Sequence, residues 1–299
     1  MRFATGVFLS IALIFFGLII GCNEKKPTES EPVQPLEQLT FSGGWYPTVS
    51  PDGNFLAYRV VGDGLLRQDL RDGQVSILTA YGTEPDWAHA GNLILFRTVE
   101  PLQSRTVLAT INVLNRDTTI IRYDGFDDGA VWSYDGNEIA AKGSLGIRLI
   151  AYPGGDTSWV TCTDPVDGGC QGENPTWSPD DQWLAFDDGL EIMKVQRAGG
   201  EAVQVVGGGL LEVTEPAWSP DGDYIAFSRQ DSTSTDMHIW VADARGEQYG
   251  LWQVTATDSN SVVDEWFDRN PCWSPDSEII YFQSNRSGRY EIWRVGFQP

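Results

Sequence analysis

The side chains that most often carry catalysis are scarce in this sequence. There are only two histidines, His89 and His238, which excludes a metal site built from three imidazoles. Neither the H-E-x-x-H pair of a zinc enzyme nor the G-x-S-x-G turn of a serine hydrolase occurs. We therefore predict no catalytic residues, no metal centre and no cofactor.

Aspartates are the remaining candidates for metal chemistry. Five of them each occupy an equivalent place in a turn, where bonding to turn amides explains them without a metal: Asp52, Asp135, Asp180, Asp221 and Asp276. Two oxygen-rich loops, 124–129 and the one carrying Asp164 and Asp167, leave calcium as an alternative cofactor, although their spacing does not match an EF-hand.

The elements that would position such residues are best seen in residues 215–227. After Trp218 and Ser219, Pro220 presets φ for a turn, and Gly222 can adopt the left-handed conformation. Ile225 and Phe227 then fall on one face of an extended segment. This stretch is therefore predicted to be two strands joined by a tight turn.

The same pattern occurs six times, with successive copies roughly 40–55 residues apart. The position of Trp218 is occupied in turn by Val49, Trp87, Trp132, Trp177, Trp218 and Trp273. Seven residues later every copy has an aliphatic side chain: Leu56, Ile94, Ile139, Leu184, Ile225 and Ile280. Such a period, with several strands in each unit, is typical of β-propeller blades.

The predicted fold is all-β, a six-bladed β-propeller of four-stranded antiparallel blades over residues 36–299. The last copy has room for only three strands after Trp273, whereas residues 36–41 look like the fourth strands of other copies. We expect residues 36–41 to join the C-terminal blade and close the ring, since closure removes an exposed sheet edge.

The tryptophan-serine-proline-aspartate-glycine hairpin resembles the repeat of TolB-type propellers, and the resemblance covers nearly all of residues 36–299. It implies the fold more firmly than the function, because this repeat also builds transport-system components, peptidase substrate gates and lectin-like surface modules. The second and third copies, at residues 87–91 and 133–136, depart from the pattern, which affects the expected turn geometry rather than the number of blades.

One further set of residues lies three positions before each tryptophan position, where the innermost strand of each blade would begin. It comprises Tyr46, Glu84, Gly129, Asn174, Glu215 and Asn270. In a propeller these side chains converge on one mouth of the central channel, so we predict Tyr46, Glu84, Asn174, Glu215 and Asn270 as ligand- or peptide-binding residues. The alternative is that the Asn and Glu side chains cap neighbouring backbone groups.

Residues 1–35 differ from the rest of the chain. Met1-Arg2 is followed by an apolar run from Val7 to Ile20, and Gly21-Cys22 resembles the lipobox of bacterial lipoproteins. We predict a signal peptide at 1–21, lipid attachment at Cys22 and a flexible tether at 22–35. An uncleaved membrane anchor is the alternative. Either interpretation predicts a propeller tethered in the bacterial cell envelope.

The acidic charge indicates a solubilising or salt-adapted surface, with a basic partner or divalent cations as the alternative. The chain has 42 acidic and 20 basic side chains, a formal net charge of −22, which argues against binding of nucleic acid or anionic lipid through charge. Cys162 and Cys170 flank a turn-rich loop and are predicted to form a disulfide in an oxidising compartment. Cys272 is predicted to be a buried thiol.

These observations favour a monomeric, non-enzymatic, lipid-anchored envelope propeller that binds proteins or peptidoglycan-associated partners, as the TolB resemblance implies. A surface module for glycans or peptides is the second interpretation. A calcium-dependent hydrolase or lyase of propeller type is the third, because fold alone does not decide between these functions.

Overall fold

The chain folds into six four-stranded antiparallel sheets, which confirms the predicted all-β, six-bladed propeller. The computed structural model describes residues 35–100, 105–121, 128–144, 146–154, 156–160, 172–257 and 263–299. The predicted signal peptide, the lipidation site Cys22 and the pair Cys162 and Cys170 lie outside these residues. So do 22–34 of the tether and most of the two loops considered for calcium.

The strands are numbered in chain order, and each blade is listed from its innermost strand outward. Blade 1 contains β2 (Trp45–Val49), β3 (Phe55–Val60), β4 (Gly64–Asp69) and β5 (Val75–Thr79). Blade 2 contains β6 (Thr83–Trp87), β7 (Leu93–Glu100), β8 (Arg105–Asn112) and β9 (Thr118–Ile121). Blade 3 contains β10 (Asp128–Trp132), β11 (Glu138–Gly143), β12 (Gly146–Ala151) and β13 (Thr157–Trp159).

The second half of the ring follows the same order. Blade 4 contains β14 (Glu173–Trp177), β15 (Trp183–Asp187), β16 (Glu191–Gln196) and β17 (Val203–Gly207). Blade 5 contains β18 (Val213–Trp218), β19 (Tyr224–Gln230), β20 (Met237–Asp243) and β21 (Leu251–Gln253), with a 3-10 helix at Glu247–Tyr249. Blade 6 contains β22 (Asp268–Trp273), β23 (Ile279–Ser284), β24 (Glu291–Gly296) and, from the start of the propeller, β1 (Glu37–Gln38).

Closure of the ring uses the N-terminal segment, as predicted, although its regular strand is short. Glu37 pairs with Arg294 and Gln38 with Trp293 across an antiparallel ladder, and the N–H of Leu39 continues it by donating to the carbonyl of Ile292 at 2.8 Å. The edge of β24 is therefore covered by residues from the opposite end of the sequence.

The repeated tryptophans form the core between blades. Trp132 packs with side chains of both blade 2 and blade 3, including Leu95 and Ile139, and Trp177 does the same between blades 3 and 4. The aliphatic residues seven positions after the tryptophan position are all fully buried, because each pairs directly across its hairpin with that position. Adjacent blades thus bury one another's apolar faces.

Among the described residues, no helix has the length and apolar character needed to cross a membrane.

Candidate functional site

The six innermost strands surround a central channel with a cavity of about 400 Å³. Each inner strand begins at one face of the ring, which we call the bulge face, and ends at the other, which we call the turn face because the W-S-P-D-G-type turns lie there. Loops between the second and third strands, and those entering the next blade, return to the bulge face, since neighbouring strands are antiparallel.

A β-bulge marks the start of every inner strand. In all six blades the register shifts at the residue three positions before the tryptophan position. The φ values of these residues lie between 48° and 59°: Tyr46, Glu84, Gly129, Asn174, Glu215 and Asn270. Non-glycine residues rarely adopt this left-handed conformation. In every blade except the third a proline follows, which lacks the N–H that a ladder would use. All six residues line the same central cavity, so they converge around one channel mouth.

At this mouth, side chains of one blade accept hydrogen bonds from bulge N–H groups of the next. Glu215 Oε2 accepts from Asn270 N at 2.9 Å, and Glu84 Oε2 accepts from Gly129 N at 3.3 Å. Asp187 Oδ2 accepts from Glu215 N at 3.0 Å in the same way. Glu84 and Glu215 thus have the capping role considered as the alternative, and their binding of a ligand stays a prediction.

The acids at the mouth are compensated by charge or by hydrogen bonds. Arg97 pairs with Glu84 at 2.5 Å, and Arg269 pairs with Glu212 at 2.9 Å and Glu215 at 3.7 Å. Asp187 is buried, and this burial raises its pKa to about 6. Asp187 was not singled out from the sequence, because only the folded hairpin brings its carboxylate to the Glu215 N–H of the next blade.

The channel interior is lined two residues after each bulge. Thr48 and Thr176 use their hydroxyl oxygens to accept the N–H groups of Trp87 and Trp218 in the next blade, at 3.0 and 3.2 Å. Cys272 occupies the same layer in blade 6 and lines the channel, so it is half-buried rather than buried as predicted. Burial raises the pKa of its thiol.

Asp86 is the charged member of this layer. Its Oδ2 accepts from Trp132 N at 2.7 Å, as the threonines do, and desolvation raises its pKa to about 7. The Asp86 side chain is only half-buried, and it lines the central cavity. Sequence reasoning missed Asp86; the signal available was a charge at a position that is neutral in the other copies.

At the turn face, the channel is bordered by turn prolines in blades 1, 5 and 6 and by His89 and Tyr134 in blades 2 and 3. The two rings stack with centroids 3.6 Å apart and planes 5° from parallel. His238, in contrast, is buried outside the channel lining, with Nδ1 3.8 Å from Asp268 Oδ2.

The repeated turn aspartates bond to turn amides, as expected. Asp221 Oδ1 accepts from Ser219 Oγ at 2.5 Å and from Asp223 N at 3.0 Å, and the other four aspartates make the equivalent pair of bonds. In the part of the chain that the structure describes, no three His, Cys, Asp or Glu side chains form a metal-binding group.

Six exposed apolar side chains lie on the bulge face. Leu210 is 96% exposed, Tyr81 77% and Phe41 68%, and all three lie in loops entering a blade. Val61 and Leu190 are exposed in loops between second and third strands, and Val99 is exposed near the bulge-face end of β7. We call these six residues the apolar rim.

A polar groove of about 600 Å³ lies at the turn face between blades 3 and 4. Its lining includes Asn137, Gln182 and Gln196 together with the half-buried Trp183. Arg197, at its edge, forms a two-point ion pair with Glu138.

Comparison with known proteins identifies the fold and not the activity. No protein-family model matches the chain, and no curated protein matches it. A solved structure of a protein assigned as TolB from Agrobacterium tumefaciens is 17% identical, with a TM-score of 0.60 over 89% of this chain and 91% of that one.

Two oligogalacturonate lyase structures are similar to a comparable degree. The enzyme from Vibrio parahaemolyticus is 13% identical, with a TM-score of 0.56 over 87% of this chain and 80% of that one. An oligogalacturonate lyase in complex with manganese is 16% identical, with a TM-score of 0.58 over 87% of this chain and 79% of that one. At these identities the likeness establishes a propeller shared with both groups.

Proposed function

We propose that this protein is a non-enzymatic, TolB-like propeller of the bacterial envelope, held by a lipid on Cys22, whose bulge face binds proteins or peptidoglycan-associated partners. The apolar rim around a polar channel mouth carries this proposal. Six of the twelve exposed large apolar side chains of the described residues lie on this face. In a molecule with a net charge of −22, such apolar surface is typical of an interaction site.

The mouth is suited to holding a partner rather than transforming one. Its glutamates are engaged by Arg97, Arg269 and bulge amides, so these side chains have their charges compensated and their oxygens occupied. Groups arranged in this way orient a ligand and do not supply an unpaired base or nucleophile.

The proposal is tested by capture of partners from envelope extract with full-length protein and variants. Phe41→Ser, Tyr81→Ser and Leu210→Ser together remove apolar surface from the bulge face. Leu114→Ser with Tyr249→Ser is the matched control, because both residues are exposed apolar side chains at the turn face, between the third and fourth strands of their blades. We expect the triple variant to lose a partner that the control retains. Equal capture by both variants would refute the assignment of this face.

Charge at the mouth is tested separately by Glu84→Gln with Glu215→Gln. Glutamine keeps an oxygen for the Gly129 and Asn270 amides but removes the negative charge, whereas alanine would also remove the caps. If these residues bind the partner through charge, capture falls while the melting temperature stays close to that of the wild type.

The proposed anchor has its own test. Labelled fatty acid should be incorporated into the full chain and lost from Cys22→Ala, and the mature protein should begin at residue 22. A chain that retains its first residues in the membrane fraction would favour the uncleaved anchor instead.

A lyase is the second candidate, favoured by the similarity to oligogalacturonate lyases. The net charge of −22 opposes it, since an oligogalacturonate is itself anionic. Incubation with oligogalacturonate and added manganese or calcium, followed by detection of unsaturated products, would decide: product formation that depends on this protein would overturn the non-enzymatic proposal.

The polar groove near Trp183 supports a glycan-binding alternative, which a glycan array would reveal.

A further inference from the structure

The inner strands repeat closely enough that departures from the repeat can be identified one layer at a time. In the layer two residues after the bulge, five blades have a neutral residue, and blade 2 has Asp86. In the layer three residues further on, four blades have proline, whereas His89 and Tyr134 occupy blades 2 and 3. All three departures lie on the same side of the channel.

The fold does not require a carboxylate at position 86. Thr48 and Thr176 accept the corresponding tryptophan N–H of the next blade with a neutral hydroxyl, at distances within a few tenths of an ångström of the Asp86 bond. A threonine at position 86 would therefore satisfy the same amide. The hydrogen bond that joins blade 2 to blade 3 therefore needs an acceptor oxygen at position 86 but not a negative charge.

Within the described ranges, this charge has no cationic partner. None of the described lysine and arginine side chains forms an ion pair with Asp86. Two of its titratable neighbours are acids: burial, and then the charge of Asp86, raise the pKa of both Tyr134 and Cys272. An uncompensated carboxylate in a low-dielectric channel is costly unless a cation joins it.

The wall beside Asp86 is aromatic. The stacked His89 and Tyr134 rings border the channel at its turn-face end, and the same cavity of about 400 Å³ contains all three side chains. A carboxylate next to aromatic rings is a favourable setting for an alkylammonium ion, whose charge interacts with both. The acidic surface as a whole also raises the local concentration of cations.

We propose that the channel binds a primary ammonium group between blades 2 and 3, with Asp86 as its anionic partner and the His89–Tyr134 stack as its wall. The ammonium group belongs either to a lysine of a peptide or to a free small amine. This inference deepens the proposed function by naming the group that the channel recognises, and it concerns the channel interior rather than the apolar rim.

Calorimetric titration of the full chain at pH 8 with n-butylammonium chloride tests the proposal, with n-butanol as the neutral probe. We expect the cation to bind saturably. The alcohol should bind with a dissociation constant about tenfold higher or more. Asp86→Asn and Asp86→Thr should each weaken cation binding on the order of tenfold while leaving the fold intact, since both keep an oxygen for Trp132 N.

The control variant is Asp72→Asn, which removes one negative charge from an exposed turn outside the channel. If Asp72→Asn weakens binding as much as Asp86→Asn, or if n-butanol binds as tightly as the cation, the proposal is wrong. A lysine tripeptide blocked at both ends distinguishes the sources: tighter binding than n-butylammonium indicates a peptide, and weaker binding indicates a free amine.

A pH profile supplies an independent readout. Binding should tighten from pH 6 to pH 8 in the wild type and not in Asp86→Asn, because the carboxylate must be ionised. The other titratable groups lining this cavity are Tyr134 and Cys272, whose pKa values burial raises, together with His89, Glu84 and Glu215. Because His89 is exposed by area, the Asp86→Asn profile, which keeps all five groups, is what separates their titration from that of Asp86. A profile unchanged by Asp86→Asn would refute the role of Asp86. Equal capture of partners by the rim variant and its control, with amine binding retained, would refute only the proposed function.

Discussion

At the scale of single residues, the smallest recurring unit is a Ser–Asp pair, found in five of the six turns. Ser219 is fully buried; its Oγ donates to Asp221 Oδ1 and accepts from Tyr224 N at 2.9 Å. Blade 2 has Ala88 and Ala90 in these positions and still forms its hairpin, so the tryptophan–aliphatic pairing supports the turn as well.

Ser219→Ala should destabilise the protein by about 1–2 kcal/mol, because the Tyr224 N–H loses its side-chain acceptor. Urea denaturation measures the free energy of unfolding. Asp221→Ala should cost less, and the double variant should cost less than the sum of the single ones, since the two side chains act as one unit. Strict additivity would contradict this description of the turn.

Asp86 makes the stability of the protein depend on pH. Its pKa is about 7 in the folded chain, against 3.8 as the ordinary value, so the folded state holds this proton more tightly than the unfolded state. The contribution of Asp86 to the free energy of unfolding therefore decreases as pH rises from about 4 to 7.

Asp86→Asn should accordingly be more stable than the wild type at pH 8, by on the order of 1–3 kcal/mol, and nearly equal to it at pH 4.5. Denaturation curves at the two pH values measure this. Asp187, whose pKa is about 6, affects both proteins alike and cancels in the difference. Equal stabilities at pH 8 would contradict the cost assigned to the carboxylate.

At the scale of elements, the joints between blades depend on side chains that reach across to a backbone group. The inner strands are joined by acceptors such as Thr48, Asp86, Thr176 and Glu215. The closure of blade 6 uses Thr40, whose Oγ1 donates to Glu291 Oε2 at 2.6 Å and accepts from Ile292 N at 2.8 Å. Both Thr40 and Glu291 are buried.

Thr40→Val should lower the free energy of unfolding by about 2–3 kcal/mol, because it leaves the buried Glu291 carboxylate and the Ile292 N–H each without one partner. Thr40→Ser retains the hydroxyl and should stay close to the wild type. The two variants differ in the hydroxyl, so equal stability would mean that this clamp does not hold the ring closed.

At the scale of the whole molecule, the net charge of −22 opposes compaction. Salt shortens the range of this repulsion from about 10 Å at 0.1 M to about 3 Å at 1 M. Raising sodium chloride from 0.05 to 0.5 M should therefore raise the melting temperature by a few degrees.

Choline chloride should give the same rise, since screening does not depend on the identity of the cation. Calcium chloride at matched ionic strength separates screening from binding: a much larger rise with calcium would indicate a calcium site. A melting temperature that falls with sodium chloride would show that ion pairs such as Arg97–Glu84 outweigh the repulsion.

Much of the architecture was determined by the sequence on its own. The six hairpins, the burial of Ile225 and its equivalents, and the return of residues 36–41 to the last blade all followed from local signals. Proline and glycine specify a turn within four residues, and alternation specifies which side of a strand is buried, so neither depends on distant parts of the chain.

Only the tertiary structure decided what the channel contains. It brought Asp86 close to Tyr134 with no ion pair to a described lysine or arginine, and it gave Glu215 the left-handed conformation of a bulge. It also let Glu84 accept a hydrogen bond from a backbone N–H of the next blade. These properties depend on contacts between residues about 40 positions apart in the sequence. Such residues come together only when neighbouring blades pack and exclude water from the interface between them. The hydration and charge pairing of a side chain depend on that meeting, because its partners and its dielectric surroundings come from another repeat.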